Sequence, residues 1–384
     1  MPRILIFAGE ASDDLHGASL AKALAQQCPG VELEGLGGAR MQAAGVRLLS
    51  GIERLDIIGV PTLSELRRAF AVFKKLSRYL ATASFDAVVL IDNPGLNLRL
   101  ARVAKRNGRR VLYYVAPQIW AWNERRVEKL RKYVDRLLVI LPFEEAYFRK
   151  AGVDCVFVGH SIMDQLAPSY DAAALRTEFG LDPKARVIGL LPGSRKSEIE
   201  RLLPVMLEAV QRLAEPGKAD GLPRSFVLAH APAVPLALIE RFLSQSSVKV
   251  TTISDRVYDV IAACDALIVA SGTATLQTAL VGRPMTIVYR TSALTYAISR
   301  RLIKVPWIGL ANLVAGRQIA KELIQNDVTG ERLALETERL LASPTGLAEA
   351  ESVARELRAK FGPPGASYRA AAQILAMMQP APRP

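Results

Sequence analysis

The sequence predicts an α/β protein of two doubly wound, Rossmann-like domains facing each other across a cleft. Short apolar runs rich in branched residues alternate with helical patterns, the signature of a parallel sheet with crossover helices. The alternation restarts once, near residue 171, so two sheets of similar type are expected. The run 186–191, Arg-Val-Ile-Gly-Leu-Leu, ends in Pro192-Gly193 directly before a helical pattern, the strand, turn and helix order of a doubly wound domain. With 384 residues, 50% of them apolar, the chain is long enough to bury two cores.

Taken in order, 4–8 is a first strand, followed by Gly9-Glu-Ala-Ser-Asp-Asp-Leu-His-Gly17 and a helix to about Gln26. A second strand is expected at 31–36, and further strands at 86–91, 110–115 and 136–140, each separated by a helical pattern. Segment 161–175, with Pro168-Ser-Tyr170, reads as the linker, so the domains are expected at 1–165 and 172–360. In the second half, strands at 186–191, 225–230, 248–253, 266–270 and 285–289 alternate with helices near 204–214, 234–245, 256–263 and 273–281. Ser197-x-x-Glu200 has the form of a capping box for a helix starting just after 195, with Ile199, Leu202 and Leu203 on its apolar face. The stretch 317–378 reads as helical, broken at Phe361-Gly-Pro-Pro-Gly365. The last helix, within 366–378, is set off so that it can cross back to the first domain, and 380–384 is expected to be disordered.

Fifty Lys and Arg against 37 Asp and Glu give a formal charge of +13, which implies an anionic partner: nucleic acid, membrane surface or phosphorylated substrate. Aromatic residues are few and no basic run is interleaved with stacking rings, which disfavours nucleic acid. Cys28, Cys155 and Cys264 have neither disulfide nor metal-ligand spacing and suit a reducing cytoplasm. No signal peptide is expected, because Met-Pro-Arg runs straight into a strand. No apolar stretch reaches the roughly 18 residues of a spanning helix, so membrane contact would be peripheral. One segment breaks the doubly wound rhythm. Residues 57–80 place Leu63, Leu66, Phe70, Phe73, Leu76 and Leu80 on one helical stripe, with Arg67, Arg68, Lys74, Lys75 and Arg78 elsewhere. Such a helix either lies on a membrane surface or packs on a core with a solvated outer face.

Two turns in the second half suit phosphate. In Pro192-Gly-Ser-Arg195, Gly193 admits close backbone approach, Ser194 and the helix start offer N–H groups, and Arg195 adds a fork of donors. In Ala270-Ser-Gly-Thr-Ala-Thr275, Ser271, Gly272 and Thr273 offer hydroxyls and amides to a diphosphate or ribose, or serve only as caps. No acidic cluster holds a metal, so Arg195 and the helix starts would neutralise a leaving diphosphate without metal or cofactor. In the first half, Asp92 ends a strand and could take a proton from a hydroxyl, or simply cap the next turn. Glu10, Ser12, Asp14 and His16 share the same rim, and His16 could act as acid, base or sugar ligand. Trp120 and Trp122 suit either a sugar or acyl platform or packing beneath a helix.

These residues spell a pattern. Gly9-Glu-Ala-Ser-x-Asp14 with Gly17-Ala18, Gly38-x-x-Met41, Ile91-Asp-x-Pro94 with Asn97, and Pro117-x-x-Trp-Ala-Trp122 come first. Leu141-Pro-Phe-Glu144, Gly159-His160, Leu191-Pro-Gly-Ser-Arg195, Ala270-Ser-Gly-Thr-Ala274 and Asn312-Leu-x-Ala-Gly-Arg317 follow. In order and over almost the whole chain they resemble the lipid-A-disaccharide synthase family. The resemblance implies a metal-independent, inverting glycosyltransferase of GT-B architecture, with an acceptor domain followed by a UDP-sugar domain. It would move 2,3-diacylglucosamine from its UDP carrier to 2,3-diacylglucosamine 1-phosphate, forming a β-1,6 disaccharide and releasing UDP. It further implies Asp92 as base or acceptor-orienting carboxylate, Arg195 as diphosphate clamp, and the 270–274 turn, Gln277, Asn312, Gly316 and Arg317 as nucleotide contacts. The expected place is the cytoplasmic face of the inner membrane, with Leu66, Phe70 and Phe73 against anionic lipid; oligomerisation stays open. Two positions depart from the family pattern. Asp13 stands where Gly is usual, loading a turn that glycine eases, and Gln277 stands where Glu commonly holds ribose hydroxyls. Another UDP-sugar enzyme of the same fold, an epimerase or a transferase with a soluble acceptor, and a non-catalytic membrane-surface paralogue are the alternatives.

Overall fold

A computed structural model describes residues 1–9, 11–49, 63–122, 124–215 and 220–378. Glu10, the 57–62 part of the segment 57–80, and the tail 380–384 lie outside the described residues. The chain forms two compact units, one of residues 1–164 with 361 onward, the other of residues 165–360.

The first unit runs β1 (Arg3–Ala8), α1 (Ala11–Gln27), β2 (Glu32–Leu36), α2 (Ala39–Ala43), β3 (Arg47–Leu48), α3 (Leu63–Thr82), β4 (Ala87–Ile91) and α4 (Pro94–Arg106). It continues through β5 (Arg110–Tyr114), α5 (Ile119–Trp122), α6 (Val127–Tyr133), β6 (Arg136–Val139), α7 (Glu144–Lys150) and β7 (Cys155–Phe157). The strands form one parallel sheet in the order β3-β2-β1-β4-β5-β6-β7. Helices cover both faces, which is why β1 and β4 read as unbroken apolar runs and are buried almost throughout.

The second unit holds α8 (Ala172–Glu178), β8 (Arg186–Leu191), α9 (Lys196–Ala214), β9 (Arg224–His230), α10 (Leu236–Leu243), β10 (Thr251–Ser254), α11 (Val257–Ala263) and β11 (Ala266–Ala270). Next come α12 (Thr273–Val281), β12 (Met285–Tyr289), α13 (Ala293–Leu302), α14 (Leu310–Ala315), β13 (Lys321–Ile324), α15 (Gly330–Ala342) and α16 (Gly346–Phe361). Its parallel sheet has the order β10-β9-β8-β11-β12-β13. Leu203, Met206 and Val210 of α9 bury against Ile188, Leu190, Phe226 and Ile268 of the strands. The final helix, α17 (Ala366–Met378), belongs to the first unit. It packs on α1 through buried Ala370, Ala371 and Ile374, while Arg369 donates to the carbonyls of Val158, Pro363 and Pro364.

Three details correct the sequence reading. Residues 321–324, expected to be helical, are an edge strand paired with β12; four residues are too few for either period to show. The helix after 195 starts at Lys196, with Arg195 as N-cap and Glu198, rather than Glu200, completing the box; Pro204 then sits inside it. And Asp13 lies in the first turn of α1, a helical position where a carboxylate suits the dipole, so no strain follows from replacing a glycine there.

In both sheets the chain turns back at one place. Connections leave β1 toward β2 and β4 toward β5 in opposite directions, and β8 toward β9 and β11 toward β12 likewise. These neighbouring pairs, β1/β4 and β8/β11, are the switch points where the loops at the strand carboxyl ends splay apart.

Candidate functional site

The β8/β11 switch point carries both predicted phosphate turns, side by side. Gly193 has φ 116°, a conformation glycine tolerates, and its α-carbon faces Glu198 so closely that a Cβ would meet Oε2 at 2.3 Å. That same Oε2 accepts from the amides of Ser194 (2.9 Å) and Arg195 (3.2 Å), and Oε1 accepts from Arg195 Nη1 at 3.1 Å. The expectation that these amides stand open for an anion is therefore corrected: a carboxylate of the same helix already fills the cradle. Its placement three residues past the N-cap follows from helical geometry, which carries the N3 side chain back over the first turn.

The second turn is different. Ser271 donates its amide to the Val288 carbonyl and its hydroxyl to Ile308 O (2.9 Å), so Ser271 braces the turn. Gly272, with φ 148°, is the N-cap of α12, and no atom lies within 4 Å of the place a Cβ would take. Thr275 Oγ1 donates to Gly272 O at 2.8 Å, which squares the first turn. Thr273 is exposed at its head. On the same helix Gln277 hydrogen-bonds Tyr258, whose hydroxyl burial pushes up to about 12. Tyr258 escaped the sequence reading because nothing near it in the chain marks it.

Three more expected nucleotide contacts follow on and after α14, which the Ala311 amide ties to Thr275 Oγ1 at 3.3 Å. The Asn312 side chain is fully buried, donating to Ala320 O (2.9 Å) and Glu322 Oε1 (2.8 Å) and accepting from the amides of Ile319 (2.8 Å) and Ala320 (3.0 Å). Its amide capacity is spent on joining α14 to β13. Gly316 is the left-handed cap ending α14. Arg317 forms a bidentate pair with Glu356 at 3.0 and 2.6 Å, against α16.

In the first unit, the β1/β4 switch point places Asp92 at the end of β4. Asp92 and Asn93 have φ 41° and 40°, and Val115, at the end of β5, has φ 62°. Three residues with side chains in the left-handed region, one of them β-branched, are a local store of strain of the kind concentrated at functional sites. The position is over-determined. The Asp92 amide donates to Tyr114 O (3.1 Å), and its carbonyl accepts from Asn97 Nδ2 (2.8 Å) and from the Tyr113 hydroxyl. Gly9 supplies room, since a Cβ there would sit 2.6 Å from Asn93 Nδ2.

The other rim candidates separate. The Asp14 carboxylate caps α2, accepting from the amides of Gly38 (2.6 Å), Met41 (3.2 Å) and Arg40 (3.3 Å), which removes it from proton transfer. His16 stands edge-on to Tyr114 and His160, with ring centroids 5.9 and 6.3 Å away, and Ser161 Oγ is 3.5 Å from its Nδ1. Burial lowers His16 to about 4 and His160 to about 3, so both rings are neutral at pH 7. Trp120 is buried, stacked edge-on to Phe143 at 4.9 Å, with its N–H on Glu144 Oε1 at 3.0 Å. It is packing rather than a platform. Glu144, which closes the Leu141-Pro-Phe-Glu144 motif but was given no role from sequence, is itself pushed up to about 7 by burial, against the pull of hydrogen bonds from Trp120 and Leu141. Ser12 and Leu66 fall within α1 and α3, and Glu10 outside the described residues. On α3, Phe70 is 67% exposed and Phe73 half-buried. Among the described residues, no group of three or more His, Cys, Asp or Glu could hold a metal ion, and no helix is long and apolar enough to cross a membrane.

The family model described as lipid-A-disaccharide synthetase matches residues 4–375. A lipid-A-disaccharide synthase of Geobacter metallireducens is 41% identical over 377 residues, covering 98% of this chain and 97% of the relative. One of Syntrophus aciditrophicus is 42% identical over 378 residues, covering 98% of each. Among solved structures, Staphylococcus aureus MnaA with UDP superimposes with TM-score 0.65 at 13% identity, covering 97% of this chain and 96% of that one. Acinetobacter baumannii MurG does so with TM-score 0.57 at 16% identity, covering 98% and 100%. At such identities the likeness establishes the two-sheet fold alone.

Proposed function

The chain belongs to the lipid-A-disaccharide synthase family and is a glycosyltransferase of lipid A disaccharide formation; from that premise we propose how its residues divide the reaction. The donor is UDP-2,3-diacylglucosamine and the acceptor 2,3-diacylglucosamine 1-phosphate. The acceptor 6-hydroxyl oxygen bonds to the donor's anomeric carbon as the bond from that carbon to the diphosphate breaks. The bonding electrons leave with UDP, and the hydroxyl proton passes to Asp92.

One observation carries this division. Asp92 in the first unit, and the 193–195 and 271–273 turns in the second, stand at the switch points of their own sheets, where doubly wound folds bind ligands. Asp92 suits the base because its backbone is clamped from three partners, so little freedom is lost when substrate arrives. His16 shares that rim, but burial lowers it to about 4 and makes it a poor proton acceptor at pH 7, which leaves the role to Asp92. In the second unit, the α12 start and the Arg195 guanidinium receive the charge that develops on departing UDP. The +13 charge and the exposed Phe70 on basic α3 support peripheral docking on anionic lipid at the cytoplasmic face of the inner membrane, where both acylated sugars would reside.

Acceptor-dependent UDP release tests the assignment. Asp92→Asn should lower turnover by about 10²-fold or more with a folded chain. A loss confined to acceptor KM would reduce Asp92 to an orienting group.

A further inference from the structure

The helices α3, α4 and α6 of the first unit enclose an open groove of about 1020 Å³ that the reaction above does not use. From one bank, α4 contributes Arg99, Arg102 and Arg106, spaced i, i+3 and i+7 along a single stripe. From the other, α6 contributes Lys129, Arg131 and Lys132. Leu98, Val103, Phe73 and Tyr133 add an apolar part to the lining. Among the described residues Glu128 is the only carboxylate lining the groove, and it is bound to Arg131 at 2.6 Å. Arg99, Arg102, Arg106 and Lys129 have no acidic partner among the described residues. Two rigid helices thus hold like charges around a groove that is apolar in part, an arrangement whose repulsion an anion would offset.

We propose that this groove seats the phosphate headgroup of an anionic membrane phospholipid, with the glycerol and upper acyl carbons on the apolar part of the lining and the phosphate between the cationic banks. Charge complementarity selects an anion, and the apolar lining selects an amphiphile. The groove is continuous with the exposed face of α3, since Phe70 lies one turn from Phe73. That continuity favours lipid over nucleic acid, because Phe70 is an exposed apolar ring beside the groove that an acyl chain would cover. The proposal rests on the reading of α3 as membrane-facing and adds to it a headgroup preference.

The test uses the full chain with phosphatidylcholine vesicles, with or without phosphatidylglycerol. Arg102→Gln with Arg106→Gln should weaken binding to the phosphatidylglycerol vesicles about 30-fold. It should leave unchanged both binding to pure phosphatidylcholine and transfer to a detergent-dispersed acceptor, and free glycerol phosphate should not compete. Phe70→Glu tests the membrane reading separately, by release from both vesicle types. If Phe70→Glu releases the protein while the arginine pair changes nothing, the groove assignment is overturned and membrane docking stands. If neither variant alters vesicle binding, both readings fall. If the arginine pair abolishes binding to single-stranded RNA while vesicle binding persists, the groove serves nucleic acid and the proposal is likewise overturned.

Discussion

The second unit contains two helix starts of similar appearance in sequence and opposite state in structure. At α9, the amides of Ser194 and Arg195 and one arm of the guanidinium are held by Glu198. At α12, Gly272 opens onto space and Thr273 is exposed. Helix dipoles and orphan amides are common to both, so those features alone do not make an anion site. What decides is whether the side chain three residues into the helix is a carboxylate. Glu198 occupies that place in α9, and Thr275 occupies the same place in α12, its hydroxyl bonded to the N-cap carbonyl of Gly272. On the proposed division of the reaction, an incoming diphosphate would meet an open turn at α12 and a competing anion at α9.

Substitutions can break or sharpen this contrast. The largest effect on binding is expected from Gly272→Ala, because φ 148° is closed to residues with a Cβ even though space is free. Strain of about 1–3 kcal/mol should displace the turn and raise the UDP Kd about tenfold or more by titration calorimetry. Unchanged affinity would remove the α12 start from the nucleotide site. A smaller effect, of opposite sign, is expected from Glu198→Gln. The amide oxygen still accepts from the Ser194 and Arg195 amides, while the competing charge is gone and the half-exposed pair with Arg195 is broken, so UDP should bind about threefold tighter. Glu198→Ala, which also frees the turn, should bind more weakly than Glu198→Gln. If both variants lose affinity equally, the carboxylate is a scaffold and not a competitor.

Glu144→Gln should have no effect on UDP affinity, and its signature lies in stability. Burial holds this carboxyl's proton up to about pH 7, whereas the unfolded chain releases it at the ordinary value of 4.5. Its contribution is thus fully present below pH 4.5 and is lost as pH rises through 7. His16 and His160 act the other way, since their lowered values make the folded chain resist protonation as pH falls below 6.5. The difference between wild-type and Glu144→Gln unfolding curves isolates the carboxyl: it should be flat below pH 4.5, change between pH 4.5 and 7, and level off above. A difference that does not vary with pH would show that Glu144 titrates alike in the folded and unfolded chain, and would overturn the effect of burial.

Much of this was legible in the chain. Asp92 was readable because it ends a five-residue apolar run, the kind of strand whose carboxyl end forms a binding rim. The 192–195 and 270–275 segments were readable as strand-to-helix turns from glycine placed between a strand and a helix. The partners of Asn312, Arg317, Asp14 and Trp120 were not readable, for a common reason. A shared motif says which residue types recur, and it does not say whether their polar atoms face a ligand or a neighbouring backbone. In all four the partners are protein groups: Ala320 and Glu322, Glu356, the amides heading α2, and Glu144.

By itself the amino-acid sequence determined the periodicities, and with them two parallel sheets, their crossover helices and the excess of positive charge. It determined as well where glycines open the turns, because backbone sterics act locally. Only the tertiary structure decided the strand order that makes β1/β4 and β8/β11 neighbours, and the return of α17 to the first unit. It alone decided which donors remain unspent, because hydrogen-bond satisfaction depends on side chains brought together from distant parts of the chain.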